Sequence, residues 1–319
     1  SYRPVIMGTR HAVAAGHYLA AQAGFDVLNN GGNAIDAGVA SGLALGVLQS
    51  DIVNIAGVAP TILWIAEEQK TINIDGLGHW PRALPQDYFQ REHDGTIPEG
   101  ILRTVVPAAP ASWLWALERY GTMSFANVAQ YAIRYARDGF PMYPLLQENI
   151  AIDKENYRRW PSSAKVYLPD NRPPEVGDVF IQAELGKSLQ YMADEEAGKT
   201  HDGREAGIRA ARDAFYKGDI ARKFAQYHAD NGGFLTYDDM ANYEVRVEPT
   251  VKTSVGDIEL HCCGPWSQGP LLSQTLRLLE GYDLKSMSHN SAEYIHVLAE
   301  ALKLSCADRE RYYGDPNFV

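Results

Sequence analysis

A chain of 319 residues, 45% hydrophobic and 22% charged, is long enough to bury a sizeable core and too apolar to be disordered. Its 29 basic and 40 acidic residues give a formal charge of −11, and no run of Lys or Arg forms a basic surface, which disfavours nucleic acid and anionic membranes as partners. No apolar stretch could span a bilayer, and the start lacks the apolar core of a signal peptide. We therefore expect small-molecule chemistry in a cytoplasmic protein, or a periplasmic one if a signal was removed before Ser1.

The three cysteines favour reduced thiols over a metal or redox site. Cys262 and Cys263 are adjacent, which strains a disulfide, and no Cys/His spacing suits a metal. No Walker loop and no HExxH, CxxC or GxSxG motif occurs. The sequence therefore predicts no metal and no cofactor, and this chain alone offers no convincing nucleophile.

Helix and strand patterns alternate without an internal repeat, which predicts an α/β or α+β fold. Apolar spacing indicates a first helix over 14–30, ended by Gly31 and Gly32. Asn33 and Asp36 then have the spacing of a capping box at the start of the next helix. We favour this capping role for Asp36 over the alternative of a catalytic acid.

The helix that follows consists almost entirely of small residues, among them Gly38 and Gly42. Such a surface lets another backbone approach closely. The sequence therefore predicts a central, buried helix in which both glycines lie at close helix contacts.

The rest of the chain supplies strands, helices and one irregular segment. A β-branched pattern broken by a polar turn predicts a hairpin over 59–75, and alternation around Gly256 and Asp257 predicts strands over 243–263. Prolines and tyrosines crowd 149–184, which predicts an irregular surface excursion. Apolar patterns predict further helices over 111–121, 124–140, 185–197, 211–233 and 291–313.

Four segments together carry a family resemblance. They are LNNGGNAIDAGVASGLALGVLQS, RYGTMSFANVAQYAIRYARDGF, FYKGDIARKFAQYHADNGGFLTYDDMANYEVRVEPTV and AEALKLSCADRERYYGDPNF. In this order they resemble signature segments of the large subunit of γ-glutamyltranspeptidases. The resemblance runs from about His11 to Phe318.

This resemblance implies the Ntn-hydrolase fold, a four-layer αββα sandwich of the α+β class, made as an inactive precursor that cuts itself in two. The N-terminal threonine freed on the small subunit would be the nucleophile, and its own α-amino group the general base. Residues 1–319 would then be one domain of the large subunit, without a catalytic residue of its own. The implied partner is the small subunit of the same precursor, and heterodimers of this kind could pair into a dimer of heterodimers.

One segment departs from the family. Where γ-glutamyltranspeptidases carry a segment close to IDFRExAP, whose arginine grips the α-carboxylate of the γ-glutamyl donor, this chain reads IDGLGHWPRALP over 74–85. Asp75 and Pro81 align with the pattern, and Leu77 stands at the position of that arginine. Leucine cannot form the bidentate pair with a carboxylate, whose loss in a partly desolvated pocket costs about 2–5 kcal/mol. The departure argues against the usual γ-glutamyl specificity.

Three nearby side chains are candidates for a different substrate contact. His79, Trp80 and Arg82 are residue types that often contact substrates, and they are unusual in a turn. The alternative, in which Arg82 is a solvated charge and Trp80 a packing residue, is equally open.

Two glycine-rich turns of the family are also altered. The turn close to GIGGGG reads NIAGVAP over 54–60, and the loop close to PPPSSGG reads CGPWSQGP over 263–270. The retained glycines still allow close backbone approach, while the larger neighbours would narrow the pocket. The substrate-binding candidates on these turns are Asn54, Gly57, Trp266, Ser267 and Gln268, the last three weighed against a plain surface loop.

The sequence thus predicts the large subunit of a γ-glutamyltranspeptidase-like amidohydrolase that passes an acyl group to water. The expected substrate is a small amide, for example an anionic, oxamate-like one, held by Arg82 or His79. The alternatives are a glutathione hydrolase or γ-glutamyltransferase with a relocated carboxylate anchor, a β-lactam side-chain acylase, and a non-enzymatic relative that only binds.

Overall fold

The computed structural model describes residues 5–318, which form a mixed fold of helices and short sheets. The helices are α1 (Tyr18–Asn29), α2 (Ala34–Leu48), α3 (Tyr88–His93), α4 (Ala109–Tyr120), α5 (Phe125–Asp138), α6 (Pro144–Ile152), α7 (Lys154–Arg159), α8 (Pro161–Tyr167), α9 (Ala183–Ala197), α10 (Arg204–Tyr216), α11 (Asp219–Asp230), α12 (Tyr237–Ala241), α13 (Gly269–Leu279) and α14 (Ala292–Tyr312). The strands are β1 (Thr61–Ile65), β2 (Lys70–Ile74), β3 (Phe140–Pro141), β4 (Val179–Phe180), β5 (Val247–Pro249), β6 (Val251–Val255) and β7 (Ile258–Cys262). None of these helices combines the length and the apolar character needed to cross a membrane.

The chain divides into two compact units. The first contains residues 5–58 and Leu77–Glu244, with helices α1–α12 and the β3–β4 pair. The second contains Ala59–Gly76 and residues 245–318, with strands β1, β2 and β5–β7 and helices α13 and α14. The expectation of one domain over residues 1–319 stays a prediction, and its outermost residues, 1–4 and 319, lie outside the described residues.

Helix α2 is the centre of the first unit, where α1, α4 and α5 all pack on it. Its small side chains let these helices come close: the Ser41 hydroxyl donates to the Ala20 carbonyl of α1 at 3.0 Å, and a Cβ at Gly42 would lie 2.9 Å from the Trp113 ring of α4. The prediction of a buried helix is confirmed. The prediction for Gly38 is wrong, because this glycine is exposed and a Cβ there would meet open space.

The capping box predicted for α2 is confirmed, and its acid also binds a distant turn. Asn33 Oδ1 accepts from the Asp36 amide at 3.1 Å, and Asp36 Oδ2 accepts from the Asn33 amide at 2.8 Å. The fully buried Asp36 carboxylate further accepts from the Thr122 and Met123 amides at 3.0 and 3.1 Å and from the Thr122 hydroxyl at 2.7 Å. Asp36 therefore joins the start of α2 to the turn between α4 and α5.

The segment 149–184 is more regular than its proline and tyrosine content predicts. It contains α7 and α8, and it ends in β4, which pairs antiparallel with β3 so that Phe180 lies opposite Phe140. Pro161 stands in the first turn of α8, where the amide would have no intrahelical partner in any case. Proline thus starts a helix here, and this explains the difference.

The strands of the second unit follow the sequence patterns. β1 and β2 form the predicted hairpin with Thr61 opposite Ile74, and β5 pairs antiparallel with β2. β6 and β7 pair around the turn at Gly256, whose φ is +56°. Helix α13 packs on α14 and on both strands of this second hairpin.

His17 caps α1 with its side chain. Its Nδ1 accepts from the Leu19 amide at 3.2 Å, and its ring lies 4.6 Å from the Tyr18 ring and 4.9 Å from the Tyr143 ring. The ring is buried, and this burial lowers the pKa of His17 below 6.5. The fold therefore holds the neutral form, whose Nδ1 lone pair makes the cap.

Gly42 and Gly38 form a matched pair for testing the packing of α2. Gly42→Leu should lower the free energy of unfolding by about 1–3 kcal/mol, because the new side chain meets the Trp113 ring. Gly38→Leu, on the open face, should leave stability unchanged or raise it, since leucine favours a helix more than glycine does. Urea unfolding of the full-length protein measures both changes, and equal losses in the two variants would contradict the packing described here.

His17 should make stability fall in mild acid. A histidine whose pKa is lowered in the folded state contributes its full stability above its unfolded pKa of 6.5. Below pH 6.5 the free energy of unfolding falls by up to about 1.4 kcal/mol per pH unit, until the pH reaches the pKa of the folded state. His17→Asn keeps a good capping residue but does not titrate. Between pH 8 and pH 5 the unfolding free energy of the native protein should therefore fall relative to that of the variant. Parallel pH profiles would show that the buried imidazole is not responsible.

Candidate functional site

The segment that carries Leu77 leaves β2 in a fixed backbone path. The Asp75 amide donates to the Arg246 carbonyl at 2.9 Å, and the Arg246 amide donates to Asp75 Oδ1 at 3.1 Å. Gly76 and Gly78 have φ values of +47° and +76°, a region that favours glycine. Leu77 stands between them with 36% of its surface exposed. Position 77 thus presents an apolar side chain to its surroundings.

The next three candidates have exposed side chains on an anchored backbone. The His79 carbonyl accepts from the Val106 amide at 2.9 Å, and the Arg82 amide donates to Asp239 Oδ1 at 3.1 Å. Trp80 is 42% exposed, although its ring also packs 5.7 Å from the Phe89 ring. The exposed guanidinium of Arg82 fits either substrate binding or a solvated charge.

Asn54 and Gly57 belong to a tight turn of the same unit. Asn54 Oδ1 accepts from the Ala56 amide at 2.8 Å. The Gly57 carbonyl accepts from the Ala108 and Ala109 amides at the start of α4, both at 2.9 Å. Residues 106–109 therefore hold the 54–57 turn and the His79 backbone together, and they leave the Asn54 side chain exposed.

The candidates of the second unit form the turn before α13. The Ser267 hydroxyl donates to the Gly264 carbonyl at 2.8 Å and accepts from the Gly269 amide at 3.0 Å. Gln268 Oε1 accepts from the Arg309 guanidinium at 2.9 Å. These contacts show a structural task for Ser267 and Gln268, while substrate binding by either residue stays a prediction.

A charged cluster in the second unit was not indicated by the sequence. Arg246 lies 3.5 Å from Asp75, 3.5 Å from Glu248 and 3.4 Å from Asp315, so one guanidinium faces three carboxylates. Burial raises the pKa of Asp75 despite the hydrogen bonds from the Arg246 and Gly76 amides. The alternation in YEVRVEP signals a strand but not this cluster, because its members come from distant parts of the chain.

Asn54 also lines two cavities of the first unit. One, of about 210 Å³, is mainly apolar and includes Met192 and Phe215. The other is an open groove of about 940 Å³ that includes Trp160 and His228.

Within residues 5–318, no group of three or more His, Cys, Asp or Glu side chains is arranged to hold a metal ion. Cys262, Cys263 and Cys306 are free thiols, and burial raises the pKa of Cys263.

Solved structures define the class of fold. A γ-glutamyltranspeptidase from Helicobacter pylori superposes with a TM-score of 0.90 at 28% identity, over 99% of this chain and 88% of that chain. A cephalosporin acylase from Bacillus halodurans superposes with a TM-score of 0.84 at 25% identity, over 99% of this chain and 59% of that chain. The fold is thus the α+β Ntn-hydrolase fold expected from the sequence.

Sequence comparison gives the family. A family model described as Gamma-glutamyltranspeptidase matches residues 20–319, and the chain belongs to this family. Among curated relatives, Acylase ACY 1 proenzyme of Pseudomonas sp. (strain SE83) is 33% identical over 98% of this chain and 55% of its own length. Glutathione hydrolase proenzyme of Bacillus subtilis (strain 168) is 32% identical over 100% of this chain and 52% of its own length. The chain spans about half the length of the curated relatives it matches.

Gly78 should be required for the path of the Leu77 segment. An alanine at Gly78 takes a strained positive φ, and its Cβ also meets the Val106 carbonyl, next to the amide that binds His79. Gly95 is the matched control, because its φ of +78° imposes the same strain while a Cβ there meets open space. Gly95→Ala should cost about 1–2 kcal/mol.

Gly78→Ala should cost more than Gly95→Ala, since a backbone carbonyl must also shift. The free energy of unfolding of the two full-length variants measures the difference. Equal costs would mean that strain alone acts at Gly78 and that the contact with Val106 is unimportant.

Proposed function

We propose that this chain is the large-subunit part of a self-processing amidohydrolase of the γ-glutamyltransferase type. The remaining part of the precursor would supply an N-terminal threonine that forms the acyl-enzyme with its own amino group as base. Membership of the family, relatives described as proenzymes, and a match to only about half of their length support this assignment. The small subunit of the same precursor is then the partner of this chain.

The observation that carries the choice of substrate is Leu77. An arginine at this position would present two parallel N–H donors to a carboxylate, whereas leucine presents none. The side chain is exposed, and the flanking backbone is set by two glycines with positive φ. We therefore propose a small amide other than a standard γ-glutamyl donor, hydrolysed rather than transferred.

The proposed anchor for an anionic amide is Arg82, with His79 beside it. Both side chains are exposed, while their backbones are tied to Asp239 and Val106. A fixed backbone with a free cationic side chain suits the carboxylate of a compact, oxamate-like substrate. Trp80 would add an apolar wall.

Two other activities have support of their own. Glutathione hydrolysis with a relocated carboxylate anchor is supported by the 32% identical relative named Glutathione hydrolase proenzyme. Acylase action on a β-lactam side chain is supported by the relative named Acylase ACY 1 proenzyme and by the superposed cephalosporin acylase. An amide panel that contains all three substrate types separates these activities.

Restoring the arginine tests the proposal. Leu77→Arg in the full-length, self-processed protein should raise kcat/KM for γ-glutamyl-p-nitroanilide by about tenfold or more, because it supplies the missing bidentate partner. Leu77→Lys is the matched control, since it adds the same charge without the fork geometry and should gain less. The proposal would be refuted if the native protein and Leu77→Arg had equal kcat/KM values for this substrate, at the level of an ordinary transpeptidase.

A further inference from the structure

The cavity of about 210 Å³ lies wholly within the first unit and has closely packed walls. These walls come from α2, the 54–57 turn and helices α8–α11. Leu189 and Met192 of α9 are almost fully buried beside the cavity, and the Phe215 ring of α10 packs 6.0 Å from the Phe224 ring of α11. The shape of the cavity is therefore set by the core of the unit.

The cavity reaches solvent at the turn that carries Asn54. A Cβ at Gly46 would lie 2.5 Å from the Ile55 side chain, so this glycine of α2 lets the turn lie directly on the helix. Ile55 is buried there, whereas Asn54, which also lines the cavity, is exposed. A small molecule can thus enter beside Asn54.

Volume and lining decide what kind of molecule fits. Because an apolar protein cavity of about 150 Å³ holds benzene, one of about 210 Å³ has room for an aromatic ring and a few further heavy atoms. None of the described residues that line this cavity carries a charge. A charged ligand would lose its hydration without gaining a partner, so a neutral aromatic molecule is favoured.

One polar group of the lining is buried and only partly paired. Gln182 stands at the N-cap of α9 without capping it, and its Nε2 donates to the Val47 carbonyl of α2 at 2.7 Å. Since a carbonyl can only accept, this bond fixes the amide nitrogen and leaves Oε1 as the free acceptor. Oε1 accepts no hydrogen bond from the described residues, although Gln182 is only 6% exposed. Buried acceptors are normally paired, so a ligand with an N–H or O–H group suits this cavity.

We propose that this cavity is a binding site for a small, neutral aromatic molecule with one hydrogen-bond donor, which donates to Gln182 Oε1. The apolar walls hold the ring, and the single acceptor fixes its orientation. The inference goes beyond the proposed amide hydrolysis and does not depend on it, because binding is measured without turnover.

The first measurement is isothermal titration of the full-length protein with indole and with benzofuran. The two molecules have the same shape, but benzofuran has a ring oxygen where indole has its N–H donor. Indole should bind with a Kd of about 1 mM or lower, and benzofuran about tenfold more weakly. Equal Kd values would overturn the proposal. So would an indole Kd above about 10 mM, which would leave water as the only partner of Oε1.

A filling variant tests whether indole binds in this cavity. Ser188 lines it, and the Ser188 hydroxyl donates to the Glu184 carbonyl within α9 at 3.0 Å, so Ser188→Leu fills space at little cost to the fold. Gln190→Leu is the matched control, because Gln190 is exposed on the same helix and does not line the cavity. Ser188→Leu should weaken indole binding by about tenfold or more, while Gln190→Leu should leave the Kd unchanged. Native affinity in Ser188→Leu would overturn the proposal.

A second variant tests the assigned hydrogen bond. Gln182→Met keeps a side chain of similar length but removes the acceptor, so it should weaken indole binding by about tenfold and change benzofuran binding by less than about twofold. Equal weakening of both ligands would overturn the bond to Oε1. The Val47 carbonyl also loses its donor in this variant, so circular dichroism checks its fold. If Gln182→Met does not fold, the two ligands in the native protein and Ser188→Leu decide the proposal.

Discussion

Close packing around helix α2 is the constraint on which the first unit depends. Small residues let α1 and α4 approach it, and the Asp36 carboxylate joins its first turn to the turn between α4 and α5. The amides at the start of helix α4 in turn donate to the Gly57 carbonyl, and the Val106 amide, just before the helix, donates to the His79 carbonyl. The position of two candidate site loops therefore follows from how closely α4 can lie against α2.

Local features of this arrangement could be predicted from the sequence, because the determining residues are neighbours in the chain. The Asn33 and Asp36 cap and the two β-hairpins depend on spacings of a few residues, and they agree with the structure. The exposure of Gly38 could not be predicted, since composition shows that a helix is thin but not which side is covered. The short helices within 149–184 were missed because proline breaks a helix interior but favours a first turn.

The candidate site, too, could be predicted from the sequence only in part. The placement of Leu77 at the position of the family arginine is a prediction from the sequence resemblance, and the structure adds the exposed side chain and the two flanking glycines. The network in which Arg246 pairs with Glu248 and the Trp266 indole donates to that carboxylate could not be predicted, because a strand pattern does not reveal which charges meet across distant segments. Ser267 and Gln268, proposed because they lie on an altered family loop, bond within the second unit, so their place on that loop alone does not assign them to substrate.

Without an arginine at position 77, the α-carboxylate of the donor has no bidentate partner there, and comparing two substrates tests this without any variant. γ-Glutamyl-p-nitroanilide and 4-aminobutyryl-p-nitroanilide differ only by that carboxylate. An enzyme with a bidentate arginine anchor should lose about 2–5 kcal/mol, or about thirtyfold to several thousandfold in kcat/KM, when the carboxylate is absent. For the full-length, self-processed protein we predict values of kcat/KM within about tenfold of each other. A preference of about a hundredfold or more for the γ-glutamyl compound would show that the α-carboxylate is anchored.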